Sequence, residues 1–86
     1  MQIEKKASFY KALGDPVRLK ILAYLLKQDE CTCICELAKV CRKDQSVIYR
    51  HAQLLKTAGI INTKKDGPFL FCCIKDKKAL IKLLEE

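Results

Sequence analysis

The sequence lacks a long hydrophobic run. Its longest apolar stretches, such as residues 70–74, are only a few residues long, so no segment is long enough to span a membrane. The first six residues, MQIEKK, also lack the continuous apolar stretch and the small-residue cleavage site of a signal peptide. We therefore expect a cytoplasmic protein with no membrane partner.

Histidine is almost absent, since His51 is the only one in the sequence. No nucleophile–base pair, phosphate-binding loop or pair of carboxylates accompanies it, and these are the groups that enzymes use most often. The sequence therefore predicts that the protein is not an enzyme and has no small-molecule substrate. We expect His51 to contact a phosphate or to pack beside the core, and rank metal binding last because the histidine is alone.

Linkers, repeats and low-complexity tracts are also missing. Half of the residues are hydrophobic, which argues against a disordered chain. We therefore expect residues 1–86 to form one domain. A chain this short buries a small fraction of its surface, so a partner chain, a metal ion or disulfide bonds are expected to help stabilise it.

Positive charge is abundant and unevenly placed. The formal net charge is +7, and residues 39–65 hold seven lysines and arginines against a single acid, Asp44. Nearly all of the net charge therefore lies in one third of the chain. This concentration favours a polyanionic partner, although a charge run alone is equally consistent with a solvated basic surface.

Apolar residues recur at helical spacing in five segments. Gly14 is expected to end the first helix in a left-handed conformation, and Asp15 and Asp44 are expected to cap the second and the fourth. In the third helix we expect Leu37 and Val40 to face the core. We predict helices over residues 2–13, from Pro16 to about 27, across 35–40, from about 45 to 58 and over 77–86.

Two strands, at residues 60–64 and 69–74, flank Asp66 and Gly67, a dipeptide typical of hairpin turns. The predicted fold class is therefore mainly α with a small β-hairpin, in the order helix, helix, helix, helix, strand, strand, helix. Two short helices joined by a tight turn and followed by a basic hairpin are the layout of a winged helix-turn-helix. The last helix is apolar on more than one face, which a monomer cannot hide completely.

The fourth predicted helix has a polar face opposite its core-facing residues. Glutamine can pair with adenine, arginine with guanine, and hydroxyl groups can hold phosphates. We expect Tyr49 and Arg50 to be the main reading residues, and Lys64 and Lys65 to straddle a phosphate backbone or a minor groove. The sequence thus predicts binding to double-stranded DNA, and the alternative is an ordinary amphipathic helix. The candidate DNA-binding residues are Arg42, Lys43, Gln45, Ser46, Tyr49, Arg50, Gln53, Lys64 and Lys65.

Three stretches resemble the ArsR/SmtB family of metalloregulatory repressors. Residues 11–22, KALGDPVRLKIL, resemble the family's opening helix junction, LSDPTRLRIL. Residues 44–61, DQSVIYRHAQLLKTAGII, resemble its recognition helix, typically SQSTVSRHLKLLREAGLV. Residues 33–37, CICEL, resemble its metal motif, CVCDL. The resemblance covers most of the chain, from about residue 12 to 76, and implies a transcriptional repressor.

The resemblance also implies a homodimer, built from the first and last helices and released from an imperfect palindrome by an inducer. It implies that Cys33 and Cys35 bind a thiophilic metal or metalloid ion such as As(III), Cd(II) or Zn(II), which suits soft thiolates. Side chains two residues apart point to opposite sides of a regular helix, so both can reach one ion only where the backbone is non-helical or distorted. Cys31 is the local candidate for a third ligand, and Cys41, Cys72 and Cys73 are distant ones. The family's other metal site is expected to be absent, because the last helix has no histidine.

Other interpretations of the six cysteines stay open. Two of them can be oxidised instead of metallated, which would make the protein a thiol redox or persulfide sensor; a thiolate near a helix N-terminus is especially reactive. Alternatively, all six are packing residues or form stabilising disulfides. We place Cys72 and Cys73 in that group, because adjacent strand residues point to opposite faces and cannot easily share a ligand. A winged-helix module that contacts only proteins is a further alternative.

Overall fold

A computed structural model describes residues 2–85, and this part of the chain contains five helices and three strands. The predicted order of helices and hairpin strands is confirmed, and so is the winged helix-turn-helix fold. The predicted last helix includes Glu86, which lies outside the described residues. The elements are α1 (Ile3–Leu13), α2 (Pro16–Leu26), β1 (Thr32–Cys33), α3 (Ile34–Cys41), α4 (Gln45–Thr57), β2 (Ile61–Asp66), β3 (Phe69–Ile74) and α5 (Lys77–Leu84).

The helix boundaries follow from local chemistry with two exceptions. Asp15 caps α2 as predicted: its carboxylate accepts hydrogen bonds from the backbone N–H groups of Val17 (2.8 Å) and Arg18 (3.2 Å). Gly14 ends α1 with φ −87°, so the predicted left-handed conformation is wrong, because the chain turns directly into the Asp15 cap. Asp44 occupies the N-cap position of α4, but its side chain makes no capping hydrogen bond.

Helices α3 and α4 form the helix-turn-helix. Arg42 ends α3 in the left-handed conformation (φ 55°), and the Lys43 N–H donates to the Ala38 carbonyl at 3.0 Å, which closes a tight turn. Leu37 is fully buried as predicted, but Val40 is 42% exposed. The prediction for Val40 was wrong because it lies about 100° around the helix from Cys41, outside the buried stripe.

The sheet has a third strand that was not predicted. Strand β3 lies at its centre, β2 pairs with one edge to form the wing hairpin, and β1 pairs antiparallel with the other, with Thr32 opposite Cys72. A two-residue strand has too few side chains to show an alternating pattern, which explains why the sequence did not indicate it. Strand β1 fixes the start of α3 against the base of the wing.

One cluster of buried residues connects all five helices and the sheet, from Ala12 in α1 to Leu80 in α5. Both terminal helices nevertheless leave large apolar side chains in solvent. Ile3 is 80% exposed and Tyr10 50% exposed, and in α5 Ile81 and Leu84 are 40% and 44% exposed. Within residues 2–85, no helix has the length and apolar character needed to cross a membrane.

Candidate nucleic-acid interface

Helix α4 separates its side chains as the sequence predicts. Ile48, Ala52 and Leu55 are completely buried, which orients the helix on the core. The opposite face contains Tyr49, which is 49% exposed, and Arg50, which is also exposed. Its other members are Gln45 and Ser46, both exposed, and the half-buried Gln53. The polar face is therefore presented to solvent by a rigid, well-packed helix.

A groove of about 660 Å³ runs between α4 and the wing. It brings together polar side chains of the recognition helix, the wing residues Thr63 and Lys65, and the thiol motif at the start of α3. Lys64 and Arg50 are exposed beside the groove and do not line it. The α4 residues that line it are Gln45, Ser46, Tyr49, Gln53 and Lys56.

The turn between α3 and α4 adds a basic hollow next to this groove. Arg42 and Lys43 line the hollow together with Lys39, and all three side chains are exposed. Cys35 and Gln45 line both the hollow and the groove, so they mark where the two meet. The predicted DNA-binding residues thus lie on two adjoining concave surfaces and on their rims. Cations and amides in such an arrangement suit phosphate and base-edge contacts.

His51 packs beside the core and links three helices. The Arg18 guanidinium donates to Nδ1 of His51 at 3.1 Å and, through Nε, to the Ala12 carbonyl at 2.7 Å. Partial burial lowers the pKa of His51; Asp15 opposes this shift, and nearby cations including Arg18 add to it. A neutral His51 is therefore favoured, as its role as an acceptor from arginine requires. This contact could not be predicted from the sequence, because Arg18 and His51 are 33 residues apart in the chain.

The two cysteines of the motif occupy different backbone conformations. Cys33 is the extended N-cap of α3 (φ −66°, ψ 142°), and its Sγ accepts a hydrogen bond from the Cys35 N–H at 3.2 Å. Cys35 lies in the first turn of the helix. Their Cα atoms are 5.2 Å apart and their sulfur atoms are in contact. The geometric condition for joint chelation, a non-helical backbone at one of the two residues, is therefore met.

The fold does not bring the proposed third ligand, Cys31, together with Cys33 and Cys35. Cys31 lies across the sheet from Cys73, and their sulfur atoms are in contact. Among residues 2–85, no group of three or more His, Cys, Asp or Glu side chains converges as a metal site. Cys33 and Cys35 fit a thiophilic ion by the chemistry of their thiolate donors.

The remaining two cysteines are buried thiols. Cys72 is completely buried on the core side of β3, and burial raises its pKa to about 11. Cys41 is buried in α3, where burial raises the pKa of its thiol, although Lys20 and Lys43 oppose the shift. Both thiols are protonated near neutral pH, so they are poor metal ligands and poor nucleophiles.

Helix α3 is also held in place by a hydrogen bond from α2. The Tyr24 hydroxyl of α2 donates a hydrogen bond to the Glu36 carboxylate, and this bond raises the pKa of Tyr24, with desolvation in the same direction. Glu36 directly follows Cys35, so this hydrogen bond connects the thiol motif to α2. Thr32 directly precedes Cys33 and pairs with Cys72, which connects the motif to β3. The motif therefore lies at a junction of three elements.

Comparisons with known proteins agree with this geometry. A family model described as "Bacterial regulatory protein, arsR family" matches residues 15–63. The chain is 41% identical to an HTH-type transcriptional regulator of Methanocaldococcus jannaschii over 85 residues, which are 96% of this chain and 94% of that protein.

Two further similarities extend the comparison. The chain is 34% identical over 74 residues to the cadmium resistance transcriptional regulatory protein CadC of Listeria innocua; the match covers 86% of this chain but only 61% of that longer protein. The solved structure of HlyU from Vibrio cholerae superposes with a TM-score of 0.78 at 31% identity, covering 98% of this chain and 94% of that one. The chain therefore belongs to the ArsR family of DNA-binding transcriptional regulators and is not an enzyme.

Proposed function

We propose that this regulator is a homodimeric repressor that binds operator DNA through α4 and the wing and is released by a thiophilic ion at Cys33 and Cys35. The observation that carries the proposal is the groove between α4 and the wing, because the thiol pair and the recognition helix line the same concavity. We also propose that residues 1–86 act as one domain, which the continuous core supports.

The DNA-binding part of the proposal is supported by exposure and charge. Tyr49 and Arg50 would read base edges from the exposed face of α4, with Gln45, Ser46 and Gln53 adding contacts. Arg42 and Lys43 in the turn would hold one phosphate backbone. Lys64 and Lys65 are neighbours on a strand, so they point to opposite faces of the wing and would straddle a second backbone or a minor groove.

The homodimer part is supported by the exposed apolar residues of the terminal helices. Ile3 and Tyr10 lie seven residues apart, which places them on one face of α1. Exposed apolar residues of this size on α1 and α5 are unfavourable in water unless a second surface covers them. A two-fold dimer would cover them and place two copies of α4 about one DNA turn apart.

The inducer part is supported by the position of the thiol pair. Cys33 and Cys35 would hold the ion through their thiolates. A thiophilic ion is a soft electrophile and prefers such sulfur ligands to hard oxygen ligands. Cys33 Sγ now caps α3 by accepting from the Cys35 N–H. Drawing that sulfur away leaves the first turn of α3 less well capped. Helix α3 packs directly on α4, so a shift of its first turn reaches the DNA-reading face.

The experiment is a DNA-release titration of reduced protein. A duplex selected by the protein from random sequence is labelled, and fluorescence anisotropy follows its release as Cd(II), As(III) or Zn(II) is added. We expect a 5- to 150-fold loss of affinity, roughly the range of allosteric coupling. The double variant Cys33→Ser, Cys35→Ser should bind DNA normally and ignore the ions.

Cys31→Ser is the matched control, since Cys31 faces Cys73 instead of the pair. It should respond like the wild type, and loss of response would make Cys31 the third ligand. A double variant at Cys33 and Cys35 that still releases DNA when metal is added would contradict the proposal.

A second candidate function is thiol redox sensing at the same pair, which the contact between the Cys33 and Cys35 sulfur atoms favours. Repeating the titration with an oxidant in place of a metal separates the two. Release by oxidant with no response to any of the ions would favour the redox function.

A further inference from the structure

The register of the sheet places Cys31 opposite Cys73. Strand β1 pairs antiparallel with β3, with Thr32 opposite Cys72 and Cys33 opposite Phe71. The next position along this register joins Cys31 to Cys73, whose Cα atoms are 4.6 Å apart. That separation lies within the range of about 4.4–6.8 Å that disulfides require. The fold therefore aligns these two thiols without any movement of the backbone.

The two buried cysteines, Cys41 and Cys72, do not compete with Cys73 as the partner of Cys31. Cys72 points to the opposite face of β3 and is completely buried, and burial keeps its thiol protonated, with a pKa of about 11. Cys41 is buried in α3. Strand alternation thus selects Cys73, which lies on the outer face of the sheet together with Cys31.

Small molecules can reach the pair. Both cysteines are half-buried, and they line an open hollow with Gln28 and Lys77 at the end of the sheet. The Lys77 ammonium donates to the Gln28 carbonyl, which holds the segment before β1 in place beside α5. A reagent can enter this hollow without opening the core.

The two surface pairs differ strongly in the loop that each would close. Cys31 and Cys73 are 42 residues apart in sequence, whereas Cys33 and Cys35 are two apart. In the chain-entropy model, a cross-link that closes a long loop removes more freedom from the unfolded chain and stabilises the fold more. By linkage, the folded protein stabilises the long-range disulfide against reduction by the same free energy. It gives little such protection to the short-range one.

We propose that Cys31 and Cys73 form a redox modification site, in which a low-molecular-weight disulfide oxidises them to a cross-strand disulfide that fastens β1 to β3. Cys33 and Cys35 remain a dithiol under the same conditions. The site is separate from the proposed inducer site, and the bond at Cys31 holds β1, and thus the Cys33 cap of α3, against the base of the wing.

The exchange is balanced in two steps. The thiolate of Cys31 or Cys73 attacks one sulfur of the small disulfide, forming a mixed disulfide and releasing one small thiolate. The second cysteine thiolate then attacks the protein sulfur of the mixed disulfide and releases the other small thiolate. The two protein thiols lose two electrons and two protons. The small disulfide gains both electrons, and its two thiolates take up the protons.

The test is a redox titration of the full chain in mixtures of glutathione and glutathione disulfide. Samples are alkylated, digested with trypsin and mapped by mass spectrometry, and a parallel set is melted. We expect the peptides 28–39 and 66–75 to be joined through Cys31 and Cys73 in mixtures where Cys33 and Cys35 are still alkylated. Formation of this link should raise the Tm by roughly 10 °C or more for a chain of this size.

Cys73→Ser should lose both the link and the rise in Tm, and Cys31→Ser should do the same. The neighbouring variant Cys72→Ser is the matched control and should keep the link. Wild-type protein alone keeps the proposal testable if a variant fails to fold, since both readouts are available on it. Linkage of Cys31 to any other cysteine, earlier oxidation of Cys33 and Cys35, or a link that leaves the Tm unchanged would overturn the proposal. None of these readouts involves DNA or metal, so they are independent of the proposed function.

Discussion

Helices α4 and α1 are similar in length but differ in how much of their apolar surface they bury. Helix α4 buries Ile48, Ala52 and Leu55 completely, and its exposed residues are polar or cationic apart from Leu54, which is 52% exposed. Helix α1 buries only Ala12 and, among its charged residues, leaves the apolar side chains of Ile3 and Tyr10 exposed. A polar surface among cations is suited to a hydrated polyanion, whereas an apolar surface is stabilised by another apolar surface. This difference supports the proposal that the middle of the chain binds DNA and that the two terminal helices contact a second copy of the chain.

The largest expected effect comes from removing the residues of α4 that are proposed to read bases. Replacing Tyr49 and Arg50 together with alanine should weaken specific DNA binding roughly 100-fold or more, because each good base contact is worth about 1–3 kcal/mol. Both side chains are exposed, so the Tm should not change. Anisotropy and thermal melting measure the two effects. Lys27→Ala, an exposed cation at the end of α2, is the control and should bind normally.

Introducing negative charge into the apolar surface of α1 tests the proposed dimer contact. Ile3→Glu with Tyr10→Glu should convert the dimer to a monomer, since burying two carboxylates in an apolar contact is costly. Operator affinity should fall about tenfold or more, because the two half-sites are then bound independently. Light scattering after size-exclusion chromatography gives the mass. Ser8→Glu lies on another face of α1 and should remain dimeric; a wild-type protein that is already monomeric would contradict the assignment of α1.

Salt dependence distinguishes the residues proposed to hold phosphates from those proposed to read bases. The logarithm of DNA affinity should fall linearly with the logarithm of salt concentration, because bound cations release counterions from DNA. Lys64→Ala and Lys65→Ala should each lower the slope by about 1 and weaken all sequences similarly. Arg50→Ala should instead relax specificity. A slope unaffected by either lysine variant would remove the wing from the interface.

The smallest expected effect concerns the contact between Arg18 and His51. Arg18 connects α1 with α4, because it also donates to the Ala12 carbonyl. Burial lowers the pKa of His51 from about 6.5, so below that pH the unfolded chain binds a proton that the folded protein resists. This contribution to stability should therefore be present above the unfolded pKa of about 6.5 and be lost progressively as the pH falls below it. His51→Gln keeps an acceptor for Arg18 and should flatten this decline in thermal melts. Identical declines in both proteins would exclude His51 as the cause.

The sequence predicted the elements of this fold well because helical periodicity and the Asp66–Gly67 turn are local signals. Its errors at Gly14 and Val40 concern details that depend on how neighbouring elements pack. The pairing of Cys31 with Cys73 and the contact between Arg18 and His51 could not be predicted, because each joins residues more than thirty positions apart. Strand β1 could not be predicted because two residues are too few to show an alternating pattern of apolar and polar side chains.

The most direct test of the central claim is hydrogen–deuterium exchange of the reduced protein with and without its selected duplex. We expect DNA-dependent protection of the backbone over residues 42–53 and in the wing, at residues 61–70, with α1 and α5 protected equally in both states. Protection that arises only in α1 and α5 would contradict the proposed interface, because the duplex would then lie on the surface proposed to bind the second copy.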